Sequence, residues 1–250
     1  RSTLFPYTTL FRSTNFTIEP RLALTAVRDA FSDTLSPDQL VRHLVAITDP
    51  GSDLEKQARE EGWLAVFSGE PSIGGRYSAL SVFGLLPAAL VGIDLESMMA
   101  HALDAEQRCS EDSIDNPAIG LASFLYDNLM SGRNKFSLLT QKRGRVLGLW
   151  IEQLVAESLG KEGQGILPNI EVDALLLSRD PGDRCVVMYQ TKTDVWDELK
   201  NFEMSLSYVD QTIPRMNYKI DSVEELAEHF VMWEYAIAMC GYLMKICPSS

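Results

Sequence analysis

The chain has 250 residues, 46% apolar and 23% charged, enough to bury a sizeable core and too apolar for wholesale disorder. Asp and Glu (35) outnumber Lys and Arg (22), a net charge of -13 that argues against nucleic acid or an anionic membrane as partner, because both need a positive field. A small phosphorylated ligand stays compatible with that balance, since a few local donors suffice to hold one. Cys109, Cys185, Cys240 and Cys247 show no CxxC spacing, and the three histidines, His43, His101 and His229, lie far apart. No metal site is expected; reduced thiols are, with Cys185 and Cys240 in the core. The longest weakly polar run, Val82 to Ile93, is well short of the ~18 residues of a membrane span. A cytoplasmic protein is expected.

Taken in chain order, the first thirteen residues, RSTLFPYTTLFRS, form near mirror pieces around Pro6-Tyr7 with no helical or strand period. They resemble translated adapter DNA and are set apart as a leader. Leu22 to Phe31 has helical spacing. Leu44 to Thr48 reads as a short buried strand ending in the turn Asp49-Pro50-Gly51. Ser52 and Glu55 form a capping box for a helix running to Gly62, and Leu64 to Phe67 is the next strand. Strand, helix, strand with short connections is a βαβ unit, which makes the two strands parallel.

Helices are expected over Ser78 to Val91 and Leu95 to Arg108, then an acidic link from Ser110 to Pro117 and a helix from Ala118 to Met130. Phe136 to Thr140 is a strand, Val146 to Leu159 a helix, Arg184 to Tyr189 a strand, Asp194 to Leu199 helical, and Glu224 to Met244 a long buried helix. Such alternation predicts an α/β fold with a mostly parallel sheet. The lobes expected are 14–110, incomplete, and 111–250. The abrupt stop after Ile246-Cys247-Pro248 makes the chain read as a fragment.

Two segments could carry chemistry. Gly74-Gly75-Arg76 follows the second strand, and ligands of open parallel sheets bind beyond the carboxyl ends of strands. The glycines let backbone N–H groups approach a ligand, the following helix start adds positive potential, and Arg76 offers a planar fork to an oxyanion. The alternative is a tight turn whose Arg76 pairs with a carboxylate. In the second segment Gln153 and Glu157, four apart, share a helix face. A carboxylate near a helix C-terminus in a cramped setting is expected to have a raised pKa, suited to moving a proton near neutral pH. The alternative is a solvated face stopped by Gly160 and Gly163.

IGGRYSALSVFGLLPAALVGID, Ile73 to Asp94, is similar to the glycine-glycine-arginine signature of glucose-6-phosphate isomerases. WIEQLVAESLGKEGQGILP, Trp150 to Pro168, resembles the same family's segment around its catalytic glutamate. AITDPGS, FSGEPSIGGRYSAL and MWEYAIAMCGYLMKICP look closest to the isomerase half of bifunctional transaldolase/phosphoglucose isomerases. The resemblance implies SIS-type parallel sheets flanked by helices, in two lobes. It implies interconversion of glucose 6-phosphate and fructose 6-phosphate through a cis-enediol(ate) without metal or organic cofactor.

Glu157 then matches the base, Arg76 the cation steadying the enediolate, and Gln153 and Gly75 substrate contacts. Thr17, in Thr17-Ile18-Glu19-Pro20, matches a phosphate contact. The glycine-rich loop of the first lobe and the lysine-bearing segment behind the last helix have no counterpart in these residues. His229 does not match the ring-opening histidine and is expected in the core or at a helix start. A homodimer and a transaldolase domain upstream are the partners implied. A non-catalytic sugar-phosphate-binding module of the same fold, and a wider specificity that includes mannose 6-phosphate, are the competing readings.

Overall fold

The computed structural model describes residues 18–140, 144–171, 182–191 and 213–248. They fall into two compact units, Arg1–Ile93 and Asp94–Ser250. The leader, Thr17 and the stretch Asp194 to Leu199 lie outside the described residues.

In the first unit, α1 (Ile18–Phe31) begins four residues ahead of the expected helix. The short α2 (Pro37–Leu40) is closed by a capping box between Ser36 and Gln39. Strands β1 (Val45–Thr48) and β2 (Ala65–Ser68) pair in parallel, Val45 opposite Ala65 and Thr48 opposite Ser68, around α3 (Asp53–Glu60). The βαβ unit is present as the sequence predicts. Ser52 caps α3 by accepting from the Glu55 N–H at 3.1 Å. The reciprocal half of the box differs: Gly51, in the left-handed region at φ 77, turns over the helix start and gives its own N–H to Glu55 at 2.6 Å. That N–H, with Arg59, holds the Glu55 carboxyl below its ordinary value. Arg28 reaches Glu61 at 2.5 Å and ties α1 to the end of α3. The helix expected from Ser78 starts later, as α4 (Val82–Leu90). Ser78 and Ser81 turn their hydroxyls onto the carbonyls of Gly75 and Ser78, which breaks the run into turns until Ser81 caps α4.

The second unit is built on a four-stranded, all-parallel sheet in the order β4-β3-β5-β6. In chain order its elements are α5 (Leu95–Ser110), α6 (Pro117–Met130), β3 (Lys135–Thr140), α7 (Arg145–Leu159), β4 (Leu167–Glu171), β5 (Arg184–Thr191), β6 (Arg215–Ile220) and α8 (Leu226–Met244). The units divide after Ile93, one helix ahead of the acidic link, because α5 packs on α8. Two strands have no counterpart in the sequence reading. Pro168 hides β4, which lies at the edge of the sheet where a missing N–H is tolerated. In β6, Met216, Tyr218 and Ile220 alternate with Arg215, Asn217 and Lys219, a period-2 signal that could have been found.

The core of this unit lies between the sheet and α8. Trp233 is fully buried and packs against Phe136 of β3, ring centroids 5.5 Å apart. Cys109, Cys185 and Cys240 are buried free thiols, and burial pushes Cys185 and Cys240 up to about 12. Cys247 is exposed.

Asn116 pins the corner between α5 and α6. Its side-chain oxygen accepts from the N–H groups of Ala118 and Ile119, and its amide donates to the carbonyls of Cys109 and Glu111, both at 2.8 Å. Asn116→Ala therefore removes a helix cap and strands a buried carbonyl, a loss of about 2–3 kcal/mol. Urea unfolding should show the midpoint falling at an unchanged slope; an unchanged midpoint would mean the corner is held by backbone packing alone.

Candidate functional site

In the first unit, the segment beyond β2 is shaped by glycine. A Cβ on the buried Gly69 would run into the Phe83 ring and the Asp49 carboxylate, so only glycine lets the chain leave the strand there. Glu70 then accepts from the N–H and hydroxyl of Ser72, 3.1 and 2.8 Å. Gly75, Arg76 and Tyr77 form a single 3-10 turn, with Ser78 donating both its N–H and its hydroxyl to the Gly75 carbonyl. Arg76 is half-buried, its guanidinium carbon 5.4 Å from the centroid of the Tyr77 ring. Stacking of this kind orients the planar cation and leaves its edges for hydrogen bonding. One expectation is corrected: no α-helix starts at Arg76. The positive end of α4 lies at Val82, where the Ser81 hydroxyl already accepts from Phe83, so the charge at this turn is that of Arg76 itself.

In the second unit, Gln153 and Glu157 share one flank of α7, and Gln153 Nε2 donates to Glu157 Oε1 at 3.0 Å. Gly160 ends the helix, and Gly163 follows at φ 75, as their sequence positions predict. The cramped setting expected for Glu157 is absent, because its flank points away from the sheet and the residue is exposed. Its location also departs from the strand-end rule that singles out Arg76. Helix α7 leaves the carboxyl end of β3 and feeds the start of the parallel neighbour β4. A helix of fifteen residues spans about 22 Å, as long as the strand it covers. Its C-terminus, with Glu157, therefore lies by the amino ends of the strands.

His229 is a core histidine. Its Nδ1 lies 3.1 Å from the Tyr189 hydroxyl, whose oxygen also accepts from Trp233 Nε1 at 2.7 Å. Having accepted from Trp233, Tyr189 has its own O–H to give to Nδ1, which requires a neutral imidazole. Burial pushes His229 down to about 4, against the pull of Glu228 and a hydrogen bond to the Lys219 backbone. Its role is packing, with the rings of Tyr189 and Tyr218 edge-on against it. His101 is a boundary residue bonded to Glu228 at 2.8 Å, and His43 is exposed.

The sequence reading passed over Glu234. It stands in the apolar run Phe230 to Ile237 of α8, and burial pushes its carboxyl up to about 8. One acid in such a run is itself a signal.

The structure thus brings Gln153 onto Glu157 and places Gly75 beside Arg76, each pair within its own unit. Among the described residues no group of His, Cys, Asp or Glu could hold a metal ion, and no helix is long and apolar enough to cross a membrane.

Parallel sheets flanked by helices define this as an α/β protein of the SIS type. A solved glucose-6-phosphate isomerase from Chlamydia trachomatis shares the fold at a TM-score of 0.75 and 17% identity, over 94% of this chain and 54% of that one. In sequence the chain is similar to the glucose-6-phosphate isomerase of Synechococcus sp. (strain JA-3-3Ab), 44% identical over 148 residues, 58% of this chain and 27% of that protein. It is also similar to the glucose-6-phosphate isomerase of Mycoplasmopsis pulmonis, 27% identical over 93% of this chain and 63% of that protein. No family model matches the chain. The chain spans 27% to 63% of the length of these two relatives.

Proposed function

We propose that this chain carries the isomerase core of a sugar-phosphate aldose–ketose isomerase interconverting glucose 6-phosphate and fructose 6-phosphate. The observation that carries the reading is the Gln153–Glu157 pair, hydrogen-bonded at 3.0 Å within a segment similar to the relatives named above. Glu157 takes the proton from C2 of the open-chain aldose. The C–H electrons form the C1–C2 double bond, and the carbonyl oxygen on C1 becomes an enediolate oxygen. Arg76 steadies that charge as it develops. Return of the proton to C1, with transfer of the O2 proton to O1, gives the ketose. Glu157 is regenerated, so no electron acceptor and no metal or organic cofactor enters the balance. Gln153 and Gly75 contact substrate in this reading, and Thr17 contacts the phosphate.

Several finer parts belong to the same reading. They are the lobes 14–110 and 111–250, a homodimer, an upstream transaldolase domain as in bifunctional enzymes, and a cytoplasmic setting, with which three buried free thiols agree.

Incubation of the chain with fructose 6-phosphate in D2O tests the reading. Deuterium appearing at C1 with formation of glucose 6-phosphate is the expected result. A five-carbon phosphorylated acid that mimics the enediolate should bind tighter than substrate and block exchange. Binding without exchange would replace the enzyme reading by a sugar-phosphate-binding module.

A further inference from the structure

Ser78 is a polar side chain buried in the first unit, 2% exposed, directly behind the turn that carries Arg76. Its N–H donates to the Gly75 carbonyl at 3.1 Å, and the Tyr77 N–H donates to the Gly74 carbonyl at 3.0 Å. Those two backbone bonds close the turn. The Ser78 hydroxyl adds a third, donating to the same Gly75 carbonyl at 2.6 Å. With alanine in its place the Gly75 carbonyl would still be paired. The hydroxyl is therefore surplus to closing the turn, and burying it has a desolvation cost that its own bond only offsets.

That extra bond acts on the peptide that leads into Arg76. The Gly75 carbonyl carbon is bonded to the Arg76 nitrogen in one planar unit, so fixing the oxygen fixes the plane from which Arg76 leaves. A single 3-10 turn has poor hydrogen-bond geometry, and Gly74 and Gly75 bring no side chain to brace it. The brace comes from the other end. The Ser78 carbonyl accepts from the Ser81 N–H at 3.0 Å and from the Ser81 hydroxyl at 2.8 Å. The Ser81 hydroxyl oxygen in turn accepts from the Phe83 N–H at 3.2 Å. Two serine hydroxyls in series thus tie the turn to the first turn of α4. The Tyr77 ring, 5.4 Å from the Arg76 guanidinium carbon, belongs to the same turn, so the clamp sets cation and ring together.

We infer that Ser78 is a positioning residue for Arg76: its hydroxyl, anchored on α4 through Ser81, holds the Gly75–Arg76 peptide and so aims the guanidinium. Its part in turnover rests on the reading of Arg76 as the cation that steadies the enediolate. A cation that meets charge only as it develops gains from being fixed beforehand, because nothing then has to reorganise during the reaction. Loosening it weakens binding of the transition state more than that of the substrate.

The test has two readouts on the whole chain. The first is the nitrogen–proton heteronuclear NOE of the Arg76 Nε–H, its peak identified by its loss in Arg76→Gln. The peak should report a rigid group in the wild type and a mobile one in Ser78→Ala. Ser78→Cys, which keeps the bulk with only a weak donor, should behave as Ser78→Ala does. The second readout is affinity for a five-carbon phosphorylated acid that mimics the enediolate. It should weaken about tenfold in Ser78→Ala, within the span that coupled neighbours show, and lose nothing more when Ser78→Ala is added to Arg76→Gln.

A merely structural serine would weaken the mimic by the same factor in both backgrounds. That result, an Arg76 peak that stays rigid in Ser78→Ala, or wild-type affinity in Ser78→Cys overturns the inference. A wild-type chain that binds no mimic, with Arg76 nonetheless loosened by Ser78→Ala, would sink the isomerase reading and keep the clamp of Ser78 on Arg76.

Discussion

In the Glu157→Gln variant, exchange of the C1 proton of fructose 6-phosphate with solvent is expected to fall by about 10²–10⁴-fold, the range that a positioned general base supplies. The substitution is a clean one. Glu157 is exposed, so no core contact is lost, and a glutamine oxygen can still accept from Gln153 Nε2 as the carboxylate does. What disappears is the carboxylate proposed to accept the substrate proton. Binding of sugar phosphate should be retained, which places the loss in kcat rather than in KM. Glu157→Asp keeps the charge and withdraws it by about one methylene, roughly 1.5 Å, enough to misplace a proton transfer and lose activity to an intermediate degree. Equal exchange in wild type and Glu157→Gln would move the base to another residue.

Much of this arrangement is legible from sequence because local rules act on short stretches. Ser52 caps α3, Asp94 caps α5 by accepting from Glu96 and Ser97, and Gly160 ends α7 where the apolar period stops. The βαβ pairing of β1 with β2 follows from connection length alone. The order β4-β3-β5-β6 does not, because nothing in β3 says that its neighbours are β4 on one side and β5 on the other. Long-range packing decides that, as it decides that α5 joins the second unit by lying on α8. The same limit applies at the site. Gln153 and Glu157 meet because four residues make about one helical turn. The Tyr189–His229–Trp233 relay joins two elements forty residues apart and has no local signature. Glu234 is legible as one acid in the apolar run Phe230 to Ile237, but how far it is shielded is decided by packing.

The buried His229 and the half-buried Glu234, five residues apart on α8, should give this protein a stability plateau in mildly acidic solution, falling away on both sides. His229 is pushed from 6.5 to about 4, so between those values the unfolded chain takes up a proton that the folded chain refuses, and stability falls as pH falls. Glu234 is pushed from 4.5 to about 8, so in that window the unfolded chain releases a proton that the folded chain keeps, and stability falls as pH rises. The windows overlap between 4.5 and 6.5, where the two slopes cancel. At 1.36 kcal/mol per unit, the uncancelled alkaline limb from 6.5 to about 8 amounts to about 2 kcal/mol, and the acid limb from 4.5 to about 4 to less than about 1 kcal/mol. Glu55, Glu61 and Asp183, held low by their hydrogen-bond and ion-pair partners, steepen the acid side as they protonate.

Among the described residues the alkaline side has no such helpers among the carboxyls, so it isolates Glu234. Glu234→Gln should raise the urea midpoint at pH 8.5 relative to the wild type and leave it unchanged at pH 4.5. His229→Gln should flatten the acid limb, at a constant penalty for the lost bond to Tyr189. If the midpoint of Glu234→Gln tracks the wild type from pH 6.5 to 9, the Glu234 carboxyl ionises as freely in the folded chain as in the unfolded one. Its surroundings would then be open to water, and the alkaline fall would have to come from another group.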